Sequence, residues 1–144
     1  MIIYVDSSAL APAYLPDEAD HGPANQMLIG EDALVTSTWT LVEVTSALTR
    51  AARNGRVDLD SLLAAFESDT AADGPVTLLR PDHAAVEVRA TEIVRQHASR
   101  SLAALHLAVA EIAAMPLAAP EECGFASRDR AQAEVAAKLG FLVV

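Results

Sequence analysis

The sequence predicts an α/β fold of three layers, in which a central parallel sheet of about five strands lies between two layers of helices. Three observations carry this reading. Short apolar, β-rich runs alternate with longer helical segments from one end of the chain to the other. The predicted strands are continuously apolar, as strands of a parallel sheet covered on both faces are. Acidic residues follow two of those runs closely, and in open parallel sheets functional sites form outside the carboxyl ends of the strands.

Taken in order, a first strand is expected at 2–5, with Asp6, Ser7 and Ser8 supplying capping side chains for a helix that begins near Ala9. A helix over 19–29 closes at Gly30, and 33–36 forms the second strand. The 39–53 segment has no Gly or Pro, sets Leu41, Val44 and Leu48 at helical spacing, and stops at Asn54 and Gly55, a left-handed signal. A helix over 58–72, built on Leu59, Leu62, Leu63 and Phe66, is broken by Asp73, Gly74 and Pro75 before a third strand at 76–79. Helices over 82–98 and 102–114 follow; in the second, Leu102, Leu105, Val109 and Ile112 form the stripe expected to face the sheet, and Met115 and Pro116 are expected to open a loop. A short strand at 123–126, a helix over 128–139 ending at Gly140 and a last strand at 141–144 complete the chain.

At 144 residues and 15.1 kDa, with mean hydropathy +0.26, the chain fits one domain over 1–144 and is too apolar to be disordered. Its apolar stretches are interrupted before the roughly 18 residues needed to cross a bilayer, and no basic leader precedes Asp6, so a cytoplasmic protein with no membrane partner is expected. A lone Cys123 suits a reducing compartment and is read as a packing residue. Ten basic against 20 acidic side chains leave a net charge of −10, which excludes a general nucleic-acid coat protein because such binding is driven by Lys and Arg. Any nucleic acid must therefore be held locally, with Arg50, Arg53 and Arg56, or Arg128 and Arg130, as available clusters; a solvated face explains each of them equally well.

The chemistry lies in three acids. Asp6 closes an apolar strand, Glu43 sits inside a largely apolar helix beside Val42 and Val44, and Asp129 follows another short apolar run. Each alone has a plain explanation: Asp6 can cap the first helix, Asp129 can favour a helix dipole by about 0.3–1 kcal/mol, and Glu43 can be a boundary residue. Three carboxylates in apolar surroundings nevertheless need cationic compensation, and one divalent ion can serve all of them. His106, on an apolar helix, is read as packing and hydrogen-bonding rather than as touching substrate. The acidic run from Asp17 to Asp20 is assigned no chemistry.

At this point the segments resemble the PIN-domain nucleases, and within them the VapC-type ribonuclease toxins of toxin–antitoxin pairs. The stretch from Ile3 to Leu10, containing Asp6, looks like the family's first-acid motif; Leu41 to Val44, containing Glu43, looks like its second; Ala126 to Arg130, containing Asp129, is similar to its fourth. The third motif, Arg100 to Ala108, matches except that Ala103 stands where an aspartate is expected. Natural degeneration and a deliberate change that lets a toxic nuclease be produced in a living host both fit that alanine, and the second is the preferred reading.

The resemblance implies a PIN-like α/β/α fold and hydrolysis of RNA phosphodiester bonds with Mg²⁺ or Mn²⁺. It implies metal ligation by Asp6, Asp129 and the vacated acid position Ala103, a ligating or water-mediated role for Glu43, supporting hydroxyls from Ser7, Ser8 and Ser127, and weak substrate contacts from Arg100 and Arg128. It also implies a cognate VapB-type antitoxin whose basic segment fills the acidic cleft, and a homodimer, for which Leu59, Leu62, Leu63 and Phe66 offer an apolar surface unless they are simply core. Two other classes compete: a degenerate PIN-like domain that binds RNA or protein without cutting, and a phosphoacceptor domain with Asp6 as acceptor. The last lacks its accessory residues, since Ser8 stands where a dehalogenase-like pattern needs aspartate and the only lysine, Lys138, is in the last helix.

Overall fold

The computed structural model describes residues 1–144. Five parallel strands, β1 (Ile2–Val5), β2 (Ala33–Ser37), β3 (Val76–Leu79), β4 (Cys123–Ala126) and β5 (Leu142–Val143), form one sheet in the order β3-β2-β1-β4-β5. Ile3 of β1 aligns with Leu34 on one side and Gly124 on the other, so β1 is central. The helices are α1 (Ser7–Leu10), which runs into a 3-10 turn at Ala11–Tyr14, α2 (His21–Ile29), α3 (Trp39–Arg53), α4 (Leu59–Asp69), α5 (His83–His97), α6 (Ser101–Val109), α7 (Met115–Ala118) and α8 (Arg130–Lys138). This is the predicted three-layer α/β/α architecture.

The alternation of side chains along β1 separates the two helical layers. Ile3 and Val5 pack with Leu34 and Val76 against α1 to α4, through Leu10, Val44, Leu48 and Phe66. Tyr4 and Phe125, stacked at 5.3 Å, face α5 to α8 and meet Val86, Ile93, Leu107 and Val135. The chain builds β1, β2 and β3 in one direction, then returns past β1 to lay down β4 and β5. That reversal opens a crevice outside the carboxyl ends of β1 and β4, where Asp6 and Ser127 leave the sheet.

Several boundaries follow local chemistry. Gly55, at φ +70°, ends α3 as its left-handed signal predicts. Helix α4 stops at Asp69, three residues short of expectation, and the Thr70 N–H and hydroxyl both donate to the Phe66 carbonyl at its end, at 3.1 and 2.9 Å. Leu59, Leu62 and Leu63 lie partly buried beside fully buried Phe66, so this stripe is spent on the core with α3.

Two expectations for the second half are corrected. Helical structure does not end before Met115: a π-turn at Ala110–Ala114 joins α6 to α7, with the Met115 N–H bonded to the Ala110 carbonyl. Pro116 then falls in the first turn of α7, where its missing N–H costs little. The helical run Ser101–Ala118 therefore reaches 18 residues, long and apolar enough by composition to cross a membrane, yet it packs against the sheet and α5. Its innermost residues are Ala104, Leu107, Ala108 and Ala110, whereas Leu102 is 40% exposed. Small alanines let the helix approach its neighbours closely; of the expected stripe Val109 is fully buried, Leu105 and Ile112 pack partly buried against the same core, and Leu102 alone faces solvent.

Candidate metal centre

Asp6 is the first residue beyond β1 and is 5% exposed. Its Oδ2 accepts from the Ser8 N–H at 3.0 Å and from the Ser8 hydroxyl at 2.6 Å, so it both caps α1 and is oriented by that cap. Its Oδ1 lies 3.6 Å from His106 Nε2 and 3.4 Å from the Gln132 side-chain amide. No Lys or Arg pairs with it.

Glu43 comes from the second turn of α3 and reaches the same spot. Its Oε2 accepts from the Ser7 hydroxyl and its Oε1 meets His106 Nε2 at 2.7 Å. Burial pushes the Glu43 carboxyl up, but the hydrogen bonds from His106 and Ser7 outweigh it and hold the group below the usual glutamate range. His106, 1% exposed on α6, is fixed from behind by the Tyr4 hydroxyl, 2.7 Å from Nδ1, and by Ser37 at 3.3 Å. Because a carboxylate only accepts, His106 Nε2 donates to Glu43.

Asp129 caps α8: its Oδ1 accepts from the Ala131 and Gln132 N–H groups at 3.0 and 3.3 Å. Its Oδ2 takes Arg100 at 2.5 Å. Burial again opposes, and the Arg100 guanidinium together with the two backbone donors brings the Asp129 carboxyl below its ordinary value. The supporting hydroxyl is Ser127, which donates to Gln132 Oε1 at 2.6 Å and accepts from the Asp129 N–H at 3.0 Å.

Asp6, Ser8, Arg100, Ala103, Asp129 and Gln132 line one cleft of about 360 Å³ at the carboxyl end of the sheet. Of the sequence-derived residues, Asp6, Ser8, Arg100, Ala103 and Asp129 meet in this cleft, and Glu43 and Ser7 join Asp6 from outside its lining. The expected ligand set of Asp6, Asp129 and position 103 is not the one drawn together, because the atoms within ligand distance of one another belong to Asp6, Glu43 and His106. The Arg128 side chain pairs with Asp20 and lines a different cavity, between β1, α2 and the C-terminal Val144, so only its backbone N–H, 2.9 Å from Ser8 Oγ, serves this site. The acidic run given no chemistry is what captures it: Asp20 holds Arg128, while Asp17 and Glu18 hold Arg56.

Three contributors escaped the sequence reading. Gln132 is 3% exposed and bridges Asp6, Ser127 and the Ala103 carbonyl, the last at 3.3 Å. Its one sequence signal is its place three residues after the capping Asp129, where a capping-box side chain would turn back; here it reaches across to α6 instead. Tyr4, inside an apolar strand, carries no signal, and Ser37, among Thr36, Thr38 and Thr40, is one of several hydroxyl residues at the end of β2 with nothing to single it out. His106 was rightly read as hydrogen-bonding, but its partner is an acid of the site.

Ligand atoms of Asp6, Glu43 and His106 lie within 4.8 Å of one another, a group able to hold a metal ion. The donor set fits a hard divalent cation, since two carboxylates converge with no Lys or Arg to neutralise them and His106 keeps its Nε2 proton toward Glu43. No curated protein matches the chain at a significant level. A model of the PIN domain family, however, matches residues 3–138. With that match spanning almost its whole length, and with the acids gathered at the sheet's carboxyl edge, the chain belongs to the PIN domain family.

Proposed function

We propose that this PIN domain is an Mg²⁺- or Mn²⁺-dependent endoribonuclease toxin of the VapC type, impaired in this chain because Ala103 replaces an acid. PIN domains are generally metal-dependent nucleases. The observation that carries the reading is the cleft in which Ala103 stands between Asp6 and Asp129, the position where the family resemblance expects a carboxylate. Ser99 Oγ supports it: this buried hydroxyl has no hydrogen-bond partner and lines a small recess with Ala103, Asp129 and Gln132. A carboxylate at position 103 would bring an acceptor to that recess.

A divalent ion held by Asp6 and Glu43, with Asp129 across the cleft, would supply Lewis-acid activation of water and charge neutralisation at the phosphate. The chain's own residues then have separable tasks. Ser8 and Gln132 orient Asp6; His106 and Ser7 keep Glu43 ionised and aimed. Arg100, whose side chain is 83% exposed, is free to leave Asp129 for a substrate phosphate. In the cell we assign a basic VapB-type antitoxin segment to the acidic cleft, a homodimer as the working form and a cytoplasmic location; the net charge of −10 supports the first of these.

The Ala103→Asp variant tests the reading. It should cleave single-stranded RNA in Mg²⁺ or Mn²⁺ on the order of 10- to 100-fold faster than the present chain, the usual size of a disturbed metal shell. A folded Ala103→Asp protein that binds RNA yet never cuts it would favour the non-cutting alternative instead.

A further inference from the structure

We propose that the recess beside Trp39 is a subsite for one base of single-stranded RNA, next to the nucleotide whose phosphate lies at Asp6 and Glu43. The proposal rests on the nuclease reading for the identity of its ligand, but not for its geometry. The recess, of about 270 Å³, is lined by Thr38, Trp39, Leu79, Arg80, His83 and Val109 among others. It opens beyond the ends of β2 and β3, on the same edge of the sheet as the acids. Its volume falls below the roughly 300 Å³ at which drug-sized pockets begin, so it suits a single ring system.

Two helices tie it to the acids. Trp39 precedes Glu43 by four residues on α3, and Val109 follows His106 by three on α6, and residues at these spacings are neighbours on a helix face. The recess is therefore about one helical turn from Glu43 along α3 and about one from His106, the partner of that acid, along α6. It also has the chemistry of a base-stacking site: the Trp39 and His83 rings stand 6.0 Å apart and 31° from parallel at its wall. Trp39 is half-buried against the core, which fixes its plane, and Glu87 steadies the exposed His83 ring at 3.1 Å.

Charge points to the same ligand. Arg56, Arg89, Arg100, Arg128 and Arg130 are each paired with a carboxylate; Arg50, Arg53, Arg80 and Arg95 are not, and of these exposed Arg80 is the one that lines the recess. The nearest acid in sequence, Asp82, caps α5 through the Ala85 N–H at 2.9 Å. In a chain of net charge −10, a free guanidinium beside two aromatic rings matches a nucleotide's phosphate and base together.

Trp39 is the only tryptophan, so its emission reports on the recess directly. In EDTA, where no turnover occurs, a single-stranded RNA octamer should quench it saturably and the same sequence as a duplex should not. Anisotropy of a labelled octamer should show Trp39→Leu and Arg80→Gln weakening binding by roughly 5- to 100-fold, the range for loss of one stacked base. Trp39→Phe keeps an aromatic face and should stay within about 3-fold, which separates stacking from loss of folding. If the octamer leaves the emission unchanged while Ala103→Asp cuts RNA, the subsite is wrong and the nuclease reading survives. If it quenches while Ala103→Asp is inert with metal, the subsite survives and the nuclease reading does not. Equal quenching by duplex RNA or by a basic peptide overturns the subsite.

Discussion

His106 Nε2 lies 2.7 Å from Glu43 Oε1, and the opposite ring nitrogen lies 2.7 Å from the Tyr4 hydroxyl. A buried imidazole with both nitrogens satisfied acts as a rigid strut between the core of the sheet and an acid at its edge. Through it, the ionisation of Glu43 is linked to the folding of the whole domain.

The first prediction follows from that link. Glu43 and Asp129 both ionise more readily in the fold than in the unfolded chain, where their ordinary values are 4.5 and 3.8. A depressed carboxyl contributes stability that is complete above the unfolded value and is lost as pH falls through the folded one. The urea midpoint should hold steady from pH 7 to about 5 and decline below it. Glu43→Gln should flatten part of that decline, and a variant curve parallel to the parent's would show that the strut does not carry it. Tyr4 acts at the other extreme: burial raises its phenol, so its contribution is intact below pH 10 and fades as pH climbs further.

What could be read from the sequence, and what could not, divides along physical lines. The strands at 2–5, 76–79 and 123–126 were legible because continuous apolar runs bounded by turn residues have few other uses. Helix α3 was legible from its composition and its Gly55 stop. Pro116 misled, because a proline in the first turn of a new helical segment looks in sequence like a terminator. Asp6 and Asp129 were visible since a strand end and a helix cap coincide there. The Gln132 bridge and the Tyr4, His106 and Glu43 chain were not, since they join residues 29 to 126 positions apart. Arg128 and Arg100 looked alike in sequence, and only the fold shows that Asp20 claims the first.

The Arg100 contact yields a second prediction. Its guanidinium is almost fully exposed, so Arg100→Gln should change stability by less than about 0.5 kcal/mol. Freed from its counter-ion, the acid cluster should bind Mn²⁺ roughly 2- to 5-fold more tightly by calorimetry, since removing a nearby positive charge favours a cation. The same variant should bind single-stranded RNA more weakly. A parallel fall in both affinities would mean that Arg100 maintains the shape of the cleft rather than its charge balance.

Gln132 yields the last. Its amide nitrogen approaches both Asp6 Oδ1 and the Ala103 carbonyl, and its oxygen takes the Ser127 hydroxyl, so one buried side chain ties β1, α6 and the β4 exit together. Gln132→Ala should cost about 1–3 kcal/mol in urea unfolding, because it leaves buried polar partners unmatched. In the Ala103→Asp background it should also lower cleavage on the order of 10- to 100-fold, as loss of a group that orients a metal ligand does. Gln132→Glu separates orientation from space-filling. The shape is kept, but an ionised carboxylate cannot donate to Asp6 and repels it. That variant should therefore be less stable at pH 7 than at pH 5, in contrast to the parent. If Gln132→Glu instead tracks the parent across this range, the amide's donation to Asp6 contributes nothing, and the cleft is organised by Ser8 and His106 alone.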